Sequence, residues 1–267
     1  MSIKHDPSGH RSIQAEAEVP GSPEEVWEAI ATGPGISSWF YPTDVEERIG
    51  GTLRYHTDSQ MDHVPAKVTG WDPPHRFRHE GRDCGADGPP TATEWTIEAR
   101  AGGRCLVRVV HSLFASTDDW DDQLRNFEAG WPQALAILGL YLTHFRGQRA
   151  TIVRAYGEMD GSVEETWKAL SGALASGGLT PGDSWALPGS GSGDLAGVLA
   201  EIRAGGRQPC VLFRLDRPAP GIAAACAYKI AERATVVISI YLYGDDGPAA
   251  AARGEVAWKE WMSARFA

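Results

Sequence analysis

The side chains best suited to chemistry are His79 and His111, with Tyr55 as a third polar group. An imidazole titrates near neutrality and can take or give a proton, so the two histidines make an acid/base pair if one site holds both. Trp39, Phe40, Phe77, Trp95, Trp131 and Leu135 complete a candidate ligand-binding set. Large rings with a few polar groups suit a mostly apolar ligand fixed by a few polar contacts. The competing reading is a filled core in which each histidine is satisfied by a backbone carbonyl or a tyrosine. Both stand at this level.

Other chemistries find little support. His56 and His63 flank a hairpin turn with no third ligand at usable spacing, so no metal is expected. Cys84, Cys105, Cys210 and Cys226 have no C-x-x-C spacing and read as reduced thiols. Gly102-Gly103, Gly177-Gly178 and Gly205-Gly206 are turns, and none leads into a phosphate loop. No Ser or Cys lies in a nucleophile motif, and Ser38 reads as surface. The acidic run Asp118-Asp119-Trp120-Asp121-Asp122 reads as a helix start rather than a cation site. No cofactor is expected.

Strand alternation must bring the candidate residues together. In Arg104–Phe114, Arg108 points to water, which sends Cys105, Val107, Val109, His111 and Leu113 inward. In Thr91–Arg100, Glu94 and Glu98 point out and Trp95 and Ile97 in; in His75–Gly81, Arg76, Arg78 and Glu80 point out and Phe77 and His79 in. Tyr55 follows Leu53 inward.

The stretch Gly130–Phe145 supplies the opposing wall. Trp131, Leu135, Leu138, Leu142 and Phe145 recur at steps of four and three, one face of an amphipathic helix. Pro132 fits its first turn, and Gly147 its end. A start near Trp120 would instead make Pro132 a kink. A second apolar row, Ile137, Leu140 and Tyr141, predicts a further neighbour: the second half of the chain, or its copy in a homodimer.

The sequence also repeats itself. Shifted by 140, Ile13–Ile30 matches Val153–Leu170 at eight positions, including Gly21/Gly161, Ser22/Ser162, Glu25/Glu165 and Trp27/Trp167. Ser22-Pro23-Glu24-Glu25 reads as a capped helix start, ended by Gly33-Pro34-Gly35. Short hairpin strands and one long helix follow in the first half. The second half gives strands at 208–215, 223–231 and 234–243, a Gly/Ser-rich middle from Gly177 to Gly193, and a closing helix from about Pro248. The expected class is α+β: two domains, 1–149 and a shorter, divergent 150–267.

Net charge is minus 10, and residues 1–149 carry 14 basic and 22 acidic side chains against 11 and 13 in the remainder. Dispersed arginines on an acidic chain argue against nucleic acid. The longest apolar run, Ala134–Leu142, is far short of the ~20 residues of a membrane span, and the polar first residues show no signal core. A cytoplasmic protein is expected. All eight histidines lie before residue 150, so histidine chemistry belongs to the first domain.

The opening strand, the helix Ser22–Ile30, Trp39-Phe40, Val68-Thr-Gly-Trp-Asp-Pro-Pro-His-Arg-Phe77, the Gly102-Gly103 hairpin and Gly130-Trp131 resemble the SRPBCC (START-like) superfamily. Within it they are most similar to the domain homologous to the activator of the heat-shock protein 90 ATPase. The resemblance covers about residues 12–146; over 150–267 it rests on the opening helix, the element order and the last helix. It implies two helix-grip domains, each a curved antiparallel sheet wrapped around a long C-terminal helix, with a cavity between them. It also implies three readings of function. The first is binding of a small hydrophobic or aromatic molecule in the first domain. The second is a polyketide-cyclase-like or hydrolase-like enzyme using His79, His111 and Tyr55, and the third a co-chaperone-like interaction module.

Overall fold

A computed structural model describes residues 3–5, 10–57, 64–82, 88–114, 120–187, 195–230 and 233–266. His63, Cys84, Asp118 and Asp119 lie outside these residues. The chain divides into two compact units, Met1–Gly147 and Gln148–Ala267.

The first unit runs β1 (Lys4–His5), β2 (Arg11–Pro20), α1 (Pro23–Ala31), α2 (Gly33–Ser37), β3 (Thr43–Val45), β4 (Thr52–Tyr55), β5 (Val64–Asp72), β6 (Arg76–Arg82), β7 (Thr91–Arg100), β8 (Arg104–Leu113) and α3 (Asp121–His144). The strands form one antiparallel sheet in the order β1-β2-β8-β7-β6-β5-β4-β3. Burial alternates strictly in β8, and Val107, Val109, His111 and Leu113 are buried as their phase requires. The opposite face carries cross-strand ion pairs, Arg108 to Glu16 at 3.0 Å and Arg76 to Glu94 at 2.6 Å. Such exposed pairs add little stability each. They do mark the outer phase, because a one-residue slip would bury charge.

α1 starts on a closed capping box. Ser22 Oγ accepts from Glu25 N at 3.3 Å and the Glu25 carboxylate accepts from Ser22 N at 2.8 Å. Gly21 enters it at φ +125°, a conformation that favours glycine.

α3 corrects one expectation. It begins at Asp121, so Pro132 lies inside the helix and not in its first turn. Proline there removes the bond to the Glu128 carbonyl. The earlier start is held by Asp121 and Asp122 in the first turn, by Arg11 donating to Asp121 at 2.7 Å, and by full burial of Leu124. Beyond the proline, Trp131, Leu135, Leu138, Leu142 and Phe145 are all buried, and α3 packs along β2 and β8. In the second row Ile137 and Tyr141 are buried and Leu140 is half-buried.

The second unit repeats the plan with β9 (Thr151–Met159), α4 (Val163–Ala173), β10 (Ser184–Leu187), β11 (Leu195–Arg203), β12 (Cys210–Arg217), β13 (Gly221–Ile230), β14 (Arg233–Leu242) and α5 (Gly247–Ser263). Its sheet order is β10-β11-β12-β13-β14-β9. The capping box recurs at Ser162 and Glu165, again behind a glycine, Gly161, at φ +125°. Trp258, Trp261 and Met262 of α5 meet Val211, Phe213, Val236, Ile238 and Ile240 in one core. Strands β10 and β11 are absent from the sequence reading. β10 falls in the Gly/Ser-rich middle, and β11 breaks alternation with two register shifts against β12. A Cβ on Gly197 would stand 1.9 Å from the Arg214 carbonyl oxygen, so the strand approaches its neighbour there as only glycine allows. The chain is thus α+β, two helix-grip domains in tandem. Among the described residues, no helix is long and apolar enough to cross a membrane.

Candidate functional site

The inner face of β6–β7–β8 is laid out in rungs. His79 pairs with Thr93, and Thr93 with His111, so the three side chains form one row across adjacent strands. Two residues along, Phe77, Trp95 and Val109 form the next row on the same face. A polar rung therefore lies directly beside an aromatic one. Each member of the polar rung is buried: His79 at 4%, Thr93 at 4% and His111 at 1% exposure.

The polar groups are tied locally. Thr93 Oγ1 and His111 Nδ1 are 2.9 Å apart, and Tyr55 Oη and His79 Nε2 are 3.5 Å apart. The histidines are two strands apart, roughly 10 Å along the sheet, too far to bond each other. Any joint acid/base role would need a substrate bridging them.

Rings from α2's exit and from α3 close over these rungs. Phe40 stacks on Trp131 with centroids 6.1 Å apart and meets Tyr55 edge-on at 5.9 Å. Trp131 meets Trp95 edge-on at 5.3 Å and lies 6.4 Å from His111, while Phe127 covers His111 at 4.3 Å. Phe40, Tyr55 and Phe127 are half-buried, which makes them the outer edge of the cluster. Leu135 is buried one turn beyond Trp131.

Every proposed ligand-lining residue except Leu135 thus joins one network of ring contacts. Trp39, however, is bound into the scaffold: it is 1% exposed and its Nε1 donates to the Ala29 carbonyl of α1 at 2.8 Å. Two members were missed. Thr93 shares the inward phase of Trp95 and was readable by alternation. Phe127 is four residues before Trp131, the same helical face, but lies ahead of a proline read as a helix start.

Among the described residues no three His, Cys, Asp or Glu side chains converge as a metal site would require. His56 instead faces Asp44 at 2.7 Å on the surface. Cys105 donates to the Gly21 carbonyl at 3.3 Å, and burial first, then Glu24 and Glu25, pushes its thiol pKa up. A thiol shifted that way forms the reactive thiolate less readily.

The second unit has a small crevice. Between its sheet and α5, Val153, Leu195, Ile240, Leu242, Ala250 and Trp258 line a crevice of about 10 Å³, the scale of a single water.

Residues 20–143 match the family model described as Activator of Hsp90 ATPase homolog 1-like protein. No curated protein matches the chain. Among solved structures, the di-domain ARO/CYC BexL from the BE-7585A biosynthetic pathway is 14% identical, with 96% of this chain and 99% of that one covered, at a TM-score of 0.45. DynU16, from the dynemicin biosynthetic locus, is 17% identical over 94% of this chain and 95% of its own, at 0.44. The Aha1 dimer from Colwellia psychrerythraea is 20% identical over 51% of this chain and 98% of its own, at 0.42. Over residues 20–143 the first unit is thus similar to the Activator of Hsp90 ATPase homolog 1-like family, and the second unit repeats its plan of an antiparallel sheet followed by a long helix.

Proposed function

We propose that the first unit binds a small hydrophobic or aromatic molecule between its sheet and α3. Phe40, Trp95 and Trp131 supply ring walls, and His79, Thr93, His111 and Tyr55 supply polar contacts. The observation that carries this reading is the buried polar rung laid beside the aromatic rung. Imidazoles on a sheet face lose hydration without adding the packing of an aliphatic residue, so a purely structural core has little use for two of them. A recognition site uses them to orient what it binds.

Titration with two- and three-ring aromatic compounds, followed by ¹H–¹⁵N NMR, tests it. Saturable shifts of the Trp95 and Trp131 indole signals and of the Phe40 and His79 amides are expected. Shifts confined to other residues, or none, overturn the reading.

A second reading, catalysis, is favoured by one contact. His79 Nε2 and Tyr55 Oη at 3.5 Å place a titratable base beside a phenol at the half-buried edge. A cyclase-like or hydrolase-like turnover with a pH–rate break near neutrality, lost in His79→Gln, would establish it.

A further inference from the structure

The chain treats its buried indoles unequally. Trp39 Nε1 donates to the Ala29 carbonyl at 2.8 Å and Trp185 Nε1 to the Leu174 carbonyl at 2.7 Å, each 5% exposed or less. Trp131 is 9% exposed and its Nε1 is buried, yet among the described residues no acceptor is within hydrogen-bonding reach. A buried indole N–H ordinarily has a partner, because leaving it dry forfeits its bond to water. The unusual donor is also the one in the candidate site. Its ring stands between Phe40 and Trp95 and beside His111.

We infer that the Trp131 N–H is the fixed donor for an oxygen of the ligand, so that the ligand is an oxygenated aromatic compound, carrying a ketone, quinone or phenol oxygen, rather than a hydrocarbon. This rests on the binding reading above and adds the ligand's class to it. Three features agree. Phe40 stacks on Trp131 and so shows how a flat ring sits there. The donor is neutral, which suits a neutral carbonyl or phenol as well as a phenolate. Phe40 and Trp95 flank the ring and the N–H is buried, so a hydrogen bond formed there is shielded from competition with water.

One hydrogen bond of this kind is worth about a five- to tenfold difference in affinity. The test compares 2-acetonaphthone with 2-isopropenylnaphthalene, in which a CH₂ replaces the carbonyl oxygen at nearly unchanged shape. Wild-type protein is expected to bind the ketone about five- to tenfold more tightly, and Trp131→Phe to bind both equally, whatever its overall affinity. In the wild type, the Trp131 indole N–H resonance should move downfield with the ketone and not with the alkene, a readout that does not depend on how the variant folds. A preference that survives in Trp131→Phe, or an indole signal that responds alike to both probes, overturns the donor role while leaving binding intact. Failure of wild-type protein to bind either probe overturns the binding reading and this inference with it.

Discussion

Thr93 and His111 face each other across β7 and β8, both buried, with Oγ1 and Nδ1 2.9 Å apart. Thr93→Val keeps the shape and deletes the hydroxyl, leaving the imidazole nitrogen without that bond. Chemical unfolding should show a loss of about 1–3 kcal/mol, and Thr93→Ser should restore most of it.

Trp39 and Trp131 offer a matched comparison. Both lose ring volume on replacement by Phe, but among the described residues only Trp39 of the two also gives up a bond within the protein, the one to Ala29. Trp39→Phe is expected to destabilise the first unit by about 1 kcal/mol more than Trp131→Phe, read from paired denaturant curves. Equal losses would contradict the division of labour between the two indoles.

The capping box of α4 makes a pH prediction. Hydrogen bonding to the Ser162 backbone N–H, then to its hydroxyl, holds the Glu165 carboxyl below its ordinary 4.5. A group whose pKa is depressed on folding adds stability above its unfolded value and loses it as the pH falls through the folded one. The urea midpoint of the second unit should therefore drop as the pH falls below about 4.5, and less steeply in Glu165→Gln. Asp183, lowered by its bonds to Thr180, adds to the same acid loss. Ser162→Ala should cost about 1 kcal/mol at neutral pH.

Thiol chemistry should be silent at the three cysteines among the described residues. Cys210 and Cys226 are cross-strand partners, both buried, and burial pushes the Cys210 thiol up to about 11. With Cys105 also buried, alkylation at pH 8 should leave all three unlabelled until denaturant is added, as peptide mass spectrometry would show. Labelling of Cys210 under native conditions would contradict its burial.

The sequence was most legible where charge marked one face of a strand. Arg76, Arg78, Glu94, Glu98 and Arg108 fixed the outer phase of β6, β7 and β8, and with it the inward turn of Phe77, His79, Trp95 and His111. The same reasoning reached Tyr55 only in part, because a short strand near the sheet edge leaves it half-buried. The repeat at Ser22/Ser162 was legible because capping chemistry is local. What escaped depended on long-range contacts. The start of α3 is held by Arg11, far away in sequence, and not by residues near Pro132. β11 keeps no alternation because bulges interrupt its ladder. That the Trp131 N–H meets no acceptor among the described residues depends on where carbonyls from other elements lie.

Register irregularities in the first sheet are unevenly placed. β5 is paired to β6 with two shifts, between Val64 and Lys67 and between Val68 and Gly70, whereas β6–β7 and β7–β8 run unbroken. β5 thus acts as an expansion joint between the sheet's edge strands and the three strands that carry the polar rung. Sequence drift toward the edge can be absorbed there without disturbing the alignment of His79, Thr93 and His111. A one-residue deletion in β7 has no such outlet: it would turn Thr93 to the outside and set a glutamate or another outward residue between two buried imidazoles. Lineages of this domain should therefore tolerate length changes around β5 and keep β7 at constant length, even where little else of the sequence is retained.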